Sequence, residues 1–239
     1  MTAADPMLRR LRLTGLATTV AVLAVACGTT TTPAPPAATT TATPEAATTG
    51  TSAPIDLAAM RADEQSAVRA VDTYWRTHFS EHFDGQYQSP RVEGSYVGAN
   101  GPQCGGEPSV PFNAFYCGPG DFLAWDEQLM EAGYSQIGDA WIYLIIAHEW
   151  GHAIQARLNR DQVSVQAELQ ADCLAGAALQ GAAKDGLIEI EPGDSEELAK
   201  TLAAVADDYP WTNESDHGNA QERTSAFNTG VQGGVQACA

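Results

Sequence analysis

The stretch "IIAHEWGHAIQ", Ile145–Gln155, decides how the rest of the chain is read. Two histidines stand four apart, with a glutamate directly after the first. On a helix, residues four apart share a face one turn up, so His148 and His152 can present imidazole nitrogens to a single metal ion. Glu149, offset by one residue, can sit beside the metal's open position without being a ligand. From there it can take a proton from a metal-bound water and pass it to a leaving amine. The residues from Ala140 to Leu158 predict a helix that is apolar nearly all round in its first half. Its apolar run is too short to span a membrane, which predicts the buried central helix of a domain. Two histidines and a glutamate in so apolar a helix are costly without partners or a metal. An ordinary buried helix is the competing reading, and H-E-x-x-H alone does not exclude it.

A catalytic zinc usually takes three protein ligands and a water. No third histidine follows at short spacing, because Asn159 stands seven residues beyond His152. The candidate is in "ELQADC", on the next helical stretch ("VSVQAELQADCLAGAALQGAAKDG"), where Glu168 and Asp172 are again four apart. Glu168 completes a two-His-one-Glu set for one Zn2+. Asp172 can accept from the non-ligating nitrogen of a ligand histidine and fix its tautomer. A solvated acidic face on an Ala-rich helix is the bland alternative. Gly151 inside the first helix costs about 1 kcal/mol relative to alanine, which predicts close approach of another backbone.

The N-terminus reads as an export signal. Arg9, Arg10 and Arg12 precede the apolar run Leu13–Ala26, which is short for a membrane span. It ends in "LAVACG", small residues before Cys27 that resemble a bacterial lipobox, although Ala24 occupies the usual leucine place. This predicts a lipoprotein signal peptide over 1–26, lipidation of Cys27 and anchoring on the extracytoplasmic side of the cell membrane. A plainly cleaved signal and a secreted protein are the alternative. Residues 27–54 are nearly all Thr, Ala and Pro, with too little apolar surface to offset ordering entropy, and predict a disordered tether. The folded domain is then 55–239. The full chain carries a formal charge of −18, and a surface that acidic repels nucleic acid and anionic membrane alike. Membrane contact is therefore expected through the lipid alone. Four further cysteines in an exported chain favour disulfides over a cysteine-zinc site, since no C-x-x-C occurs. Cys104 and Cys117 bracket a Gly/Pro-rich loop and predict a local pair, leaving Cys173 with Cys238.

Elsewhere, "DLAAMRADEQSAVRAVDTYWRTHFSEHF" predicts a long amphipathic helix capped by Asp56, with Leu57, Met60, Val68, Val71 and Trp75 at helical spacing. Short strands and turns are expected over Gln86–Val97, and brief strands over Phe112–Cys117 and Phe122–Trp125 around "GPGD". Glu191–Asp208 predicts a helix capped by Asp194 or Ser195. Tyr209–Ala239 predicts a loop and a last short helix. A second H-x-x-x-H, His78 and His82, lacks the glutamate and reads as surface. The fold expected is α+β and mainly helical, a ligand-bearing helix packed on the catalytic one beside a small sheet.

"AHEWGHAIQ", "ELQADCLAG", the upstream "FYCGPGDFLAWDE" and the downstream "DHGNAQERTSAF" occur in that order. Together they resemble the bacterial neutral zinc metallopeptidase family, a gluzincin-like, zincin-fold group of peptidases, from about Gln86 to Cys238. The resemblance implies that His148, His152 and Glu168 bind zinc, that Glu149 is the general base, and that peptides or proteins are the substrate. Asp172 matches the family's aspartate after the ligand glutamate. The pattern H-G-x-x-x-Q-R is met as "HGNAQER", read with one residue extra between Gln221 and Arg223, which leaves Arg223 without an assigned role. His217 is the candidate for stabilising the oxyanion, with Tyr209 a weaker one. Zincins usually bind substrate along an exposed strand, and "DFLAW", Asp121–Trp125, is the expected counterpart. A non-catalytic, zinc-holding binding module on the same fold is the alternative to the enzyme. Cleavage preference and oligomeric state are not legible.

Overall fold

Asp56 begins the first helix as expected: its Oδ1 accepts from the backbone N–H of Ala58 and Ala59 at 3.0 and 3.1 Å, satisfying two of the donors a helix start leaves free. The computed structural model describes residues 55–160, 164–207 and 217–238. The expectations for the signal peptide, Cys27, the tether and Tyr209 lie outside the described residues. Helix α1 (Leu57–His82) buries Met60, Ala67, Val71, Tyr74 and Trp75 along one stripe, while Leu57 at its first turn is 37% exposed. Strand β1 (Arg91–Tyr96), β2 (Ala114–Cys117) and β3 (Phe122–Asp126) follow, then helix α2 (Glu127–Gln136). Helices α3 (Ala140–Arg157), α4 (Val165–Lys184), α5 (Asp194–Ala204) and α6 (Ala220–Gly233) complete the order, with a 3-10 turn at Val235–Cys238. The architecture is the mainly helical α+β arrangement expected.

The sheet order is β1-β3-β2, with β1 parallel and β2 antiparallel to β3. Every residue of β3 is buried, because α-helical layers and both neighbouring strands cover it. Three readings differ here. Only Arg91–Tyr96 of the Gln86–Val97 stretch is strand. Helix α2 has no counterpart in the sequence reading. It follows β3 without a turn because Asp126 both ends the strand and caps the helix, its Oδ1 accepting from the Gln128 N–H at 3.0 Å. The cap of α5 is Gly193 at φ 123°, not Asp194 or Ser195; Asp194 instead accepts from the Glu191 N–H at 2.8 Å.

Two glycine contacts bring the functional helices together. A Cβ on Gly151 of α3 would lie 2.8 Å from the Cα and carbonyl oxygen of Ala171 on α4, so the close approach that this glycine predicts is present. A Cβ on Gly230 of α6 would lie 1.8 Å from the Cys173 carbonyl oxygen, which leaves glycine as the residue that lets α6 seat on α4. The Cys173–Cys238 disulfide closes the same contact, and Cys104–Cys117 joins the 98–113 loop to β2. Both pairings are those expected. His78 is not free surface: it bridges Glu81 at 2.8 Å and Asp185 at 2.7 Å, tying the end of α1 to the end of α4.

Among the described residues two buried acids, Glu64 and Asp126, lie on neither α3 nor α4. Glu64 of α1 is 7% exposed and accepts from Trp125 Nε1 at 3.0 Å. Burial pushes its carboxyl from 4.5 up to about 7, the Trp125 bond opposing only in part. Between those two values the folded chain binds more protons at this site than the unfolded chain, so its contribution to stability falls as pH rises through that window. Glu64→Gln keeps an acceptor for Trp125. It should match wild type near pH 4.5 and exceed it well above pH 7 by on the order of 3 kcal/mol. Urea midpoints at the two ends of the range check this, and parallel pH profiles of the two proteins would sink it.

Candidate metal centre

Helix α3 carries His148, Glu149 and His152 with 6%, 8% and 9% exposure. They face the first turn of α4, where the Ser164 side chain caps the helix by accepting from the Ala167 N–H at 3.1 Å. That cap starts α4 so that Glu168 lies one turn before Asp172, both toward α3. The ligand atoms of His148, His152 and Glu168 all lie within 4.8 Å of one another. His148 Nε2 is 3.2 Å from Glu168 Oε2, and His152 Nε2 is 3.4 Å from Glu168 Oε1.

The other ring nitrogen of each histidine is held from behind. Gln155 Nε2 donates to the Ala167 carbonyl at 2.6 Å and to Gln170 Oε1 at 3.2 Å. Its Oε1 can therefore only accept, and it takes the proton of His152 Nδ1 at 2.9 Å. Asp172, wholly buried, accepts from His148 Nδ1 at 2.8 Å. Burial pushes the Asp172 carboxyl up, but His148 and Arg223 together hold it below its ordinary value, so it stays ionised. With both Nδ1 atoms donating, the two Nε2 lone pairs point at a common space shared with Glu168.

Glu168 Oε2 is buried and accepts no hydrogen bond of proper geometry, with His148 Nε2 3.2 Å away, an arrangement that costs heavily unless a cation faces it. Without a cation the charge balance falls on protons. Burial works to lower the His148 pKa, yet Asp172 and Glu168 lift it to about 10. Burial likewise raises the Glu168 carboxyl, and the two histidines override this and draw it far down. Two imidazoles and one carboxylate, with one of its oxygens lacking a hydrogen bond, fit a zinc ion with one side left open.

Arg223, on the first turn of α6, is the element that sequence reasoning left without a role. It is 3% exposed and clasps Asp172 with Nε to Oδ2 and Nη2 to Oδ1, both 2.8 Å. Its Nη1 donates to the Val205 carbonyl at 2.6 Å, tying in the end of α5. Counted by position, His217–Arg223 fills the seven places of H-G-x-x-x-Q-R with nothing inserted, and Glu222 stands in the glutamine place. Glu222 there completes a capping box with Asn219, which starts α6 and aims Arg223 inward. Gln155 was also missed. Its signal was the spacing, since i and i+3 share a helix face and an amide there can reach the ligand at His152.

The ligand set lines a cleft of about 640 Å3, and Glu149, Ala114, Phe115, Tyr116, His217 and Arg223 line it too. Glu149 Oε2 accepts from the Tyr116 backbone N–H at 2.9 Å, so the carboxylate is held between α3 and β2. Arg157 braces the same strand, donating to Tyr116 Oη at 3.1 Å and pairing with Asp121 at 2.7 Å. The strand expectation is corrected here. "DFLAW" is the buried central strand β3, and the strand beside α3 is β2, an edge of the sheet. Asn113 O accepts from the Asp126 N–H at 2.7 Å, so alternation turns the backbone groups of Ala114 and Tyr116 away from β3, toward the cleft. His217 sits on the cleft wall with half its side chain exposed, Nδ1 3.8 Å from Asp207.

Residues 11–239 match a family described as "Putative neutral zinc metallopeptidase". The chain is also similar to the "Uncharacterized protein YpfJ" of Escherichia coli strain K12 and of Escherichia coli O6:H1. Each is 30% identical over 191 residues, which is 67% of this chain and 63% of the relative. The chain thus spans less than two thirds of the length of these curated relatives. No solved structure matches it.

Proposed function

The chain belongs to the neutral zinc metallopeptidase family, and from that premise we propose that it hydrolyses peptide bonds with one zinc ion held by His148, His152 and Glu168. The observation that carries this reading is the meeting of two oriented Nε2 atoms and an orphaned carboxylate oxygen on a cleft that Glu149 also lines. Bound there, zinc would supply a Lewis acid that makes a water acidic near neutral pH and polarises a carbonyl.

The chain's own residues do the rest. Glu149, beside the ligands and not one of them, accepts the proton of the attacking water and delivers it to the leaving amine. Asp172 and Gln155 keep both histidines in the tautomer that leaves Nε2 free. The outward N–H and C=O of Ala114 and the C=O of Tyr116 can pair with an extended peptide laid along β2, the Tyr116 N–H being held by Glu149. His217, on the same wall, is the donor we assign to the oxyanion. A structural zinc site closes its coordination with protein ligands. Three ligands opening on a cleft, with an acid beside them, fit catalysis better than a binding module.

Zinc analysis of the purified chain, together with peptide hydrolysis before and after chelation, tests this. One zinc per chain and cleavage that a chelator abolishes and added zinc restores are expected. A chain without zinc defeats the metal assignment, and a zinc-loaded chain inert on a broad peptide mixture defeats the enzymatic one.

Export and anchoring belong to the same proposal. Arg9, Arg10 and Arg12, the apolar run and the small residues before Cys27 support a lipid anchor on the extracytoplasmic side. Two disulfides suit that oxidising compartment. Cys27→Ser should move the protein from the membrane to the soluble extracytoplasmic fraction. Unchanged fractionation would remove the anchor from the account.

A further inference from the structure

At the lip of the cleft the chain does something that its packing does not reward. Phe112 has φ 58°, in the left-handed region, while its side chain is 56% exposed. The other described non-glycine residues with positive φ are Asp121 and Asn159, types whose short polar side chains tolerate that region. A bulky aromatic adopts it under compulsion. The compulsion is visible. The wholly buried Asp126 carboxylate accepts from the Phe112 N–H at 2.6 Å and from the Gly98 N–H at 3.2 Å. Tyr96 Oη donates to the carbonyls of Val110 and Asn113, at 2.8 and 3.1 Å, on either side of Phe112. The Cys104–Cys117 disulfide fastens the same loop to β2.

So the loop is pinned on both sides of a residue that is strained and left largely in water. Strain held this way at a cleft has a use when the side chain meets a ligand. Phe112 shares the cleft lining with Leu129, Trp141 and Ile145, an apolar group beside the polar ligand set. A peptide paired with the outer edge of β2 turns alternate side chains toward the two faces of that strand, so one of them can be received by this apolar lining. We propose that Phe112 is a substrate-contact residue. It selects a large apolar side chain, such as leucine or phenylalanine, next to the bond attacked. This rests on the peptidase reading and deepens it.

The test separates the two. Equilibrium binding is measured in the Glu149→Gln background, so that the probe stays intact whether or not the wild-type chain cleaves it. The probes are two short labelled peptides that differ only at the centre, Phe-Leu in one and Ser-Ser in the other. Phe112→Gly and Phe112→Asn should each weaken the Phe-Leu peptide by about tenfold and leave the Ser-Ser peptide and the zinc content unchanged. Phe112→Gly, freed of the φ strain, should melt no lower than its parent. A lower Tm with equal weakening of both peptides makes Phe112 structural and overturns the proposal. Unchanged affinity, or no binding of the Phe-Leu peptide to the parent, overturns it as well. The peptidase reading stands or falls separately, on zinc content and hydrolysis by the chain with Glu149 intact.

Discussion

Glu149→Gln is expected to keep its zinc and its Tm and to lose about 10^3-fold or more in kcat on a cleavable peptide. General-base assistance is worth about 10^2 to 10^4 in rate, and a loss of 10^3 is about 4 kcal/mol of barrier. The substitution is nearly isosteric. Its amide oxygen can still accept the Tyr116 N–H that now binds Glu149 Oε2 at 2.9 Å, so the placement of β2 is preserved. What disappears is the negative charge and the lone pair that takes a proton. Glu149 is not among the three residues whose donor atoms converge, so metal content should not follow activity down. Removing a charge from a site 8% exposed should not lower stability either. The measurement is single-turnover and steady-state hydrolysis alongside metal analysis on the same preparation. Zinc-loaded Glu149→Gln within about threefold of wild type would show that the proton is handled elsewhere.

The reach of sequence reasoning follows the range of the physics. His148 with His152, and Glu168 with Asp172, were legible because helical periodicity is local, and two i, i+4 pairs on neighbouring helices suffice to suggest one centre. Gly151 was legible for a related reason, since a glycine in an otherwise good helix is costly and asks for a backbone nearby. The strand order was not. "AFYC" and "FLAW" are equally short and apolar, and only the parallel pairing of β1 with β3 makes the second central and the first an edge. No local signal carries that pairing. Helix α2 escaped because no turn residue separates it from β3. Arg223 lies 51 residues from Asp172, and its partner became evident only when Gly230 let α6 close on α4.

That closure sets up the largest structural effect to be expected. Arg223→Met should cost about 3–5 kcal/mol of stability, because it leaves the Asp172 carboxylate buried with His148 as its one remaining partner. It should also weaken zinc binding by about 10–100-fold, the usual effect of loosening the group that holds a ligand histidine. The two losses have different origins, and a cycle separates them. In Asp172→Leu/Arg223→Met both charges are gone, so much of the stability should return. Zinc affinity should stay low, because His148 Nδ1 then has no acceptor to fix its tautomer. The pH profile offers a further handle. Asp172 in the folded chain sits below its ordinary pKa, so its share of stability is present above about 3.9, the unfolded value, and is lost as pH falls through the folded one. Arg223→Met should shrink that acid-side loss, and the double variant should abolish it. Urea midpoints across acid pH and zinc competition with a chelator read the two quantities independently. Arg223→Met with zinc affinity unchanged would mean that the arginine serves the fold alone, and that His148 is oriented by α4 without help from α6.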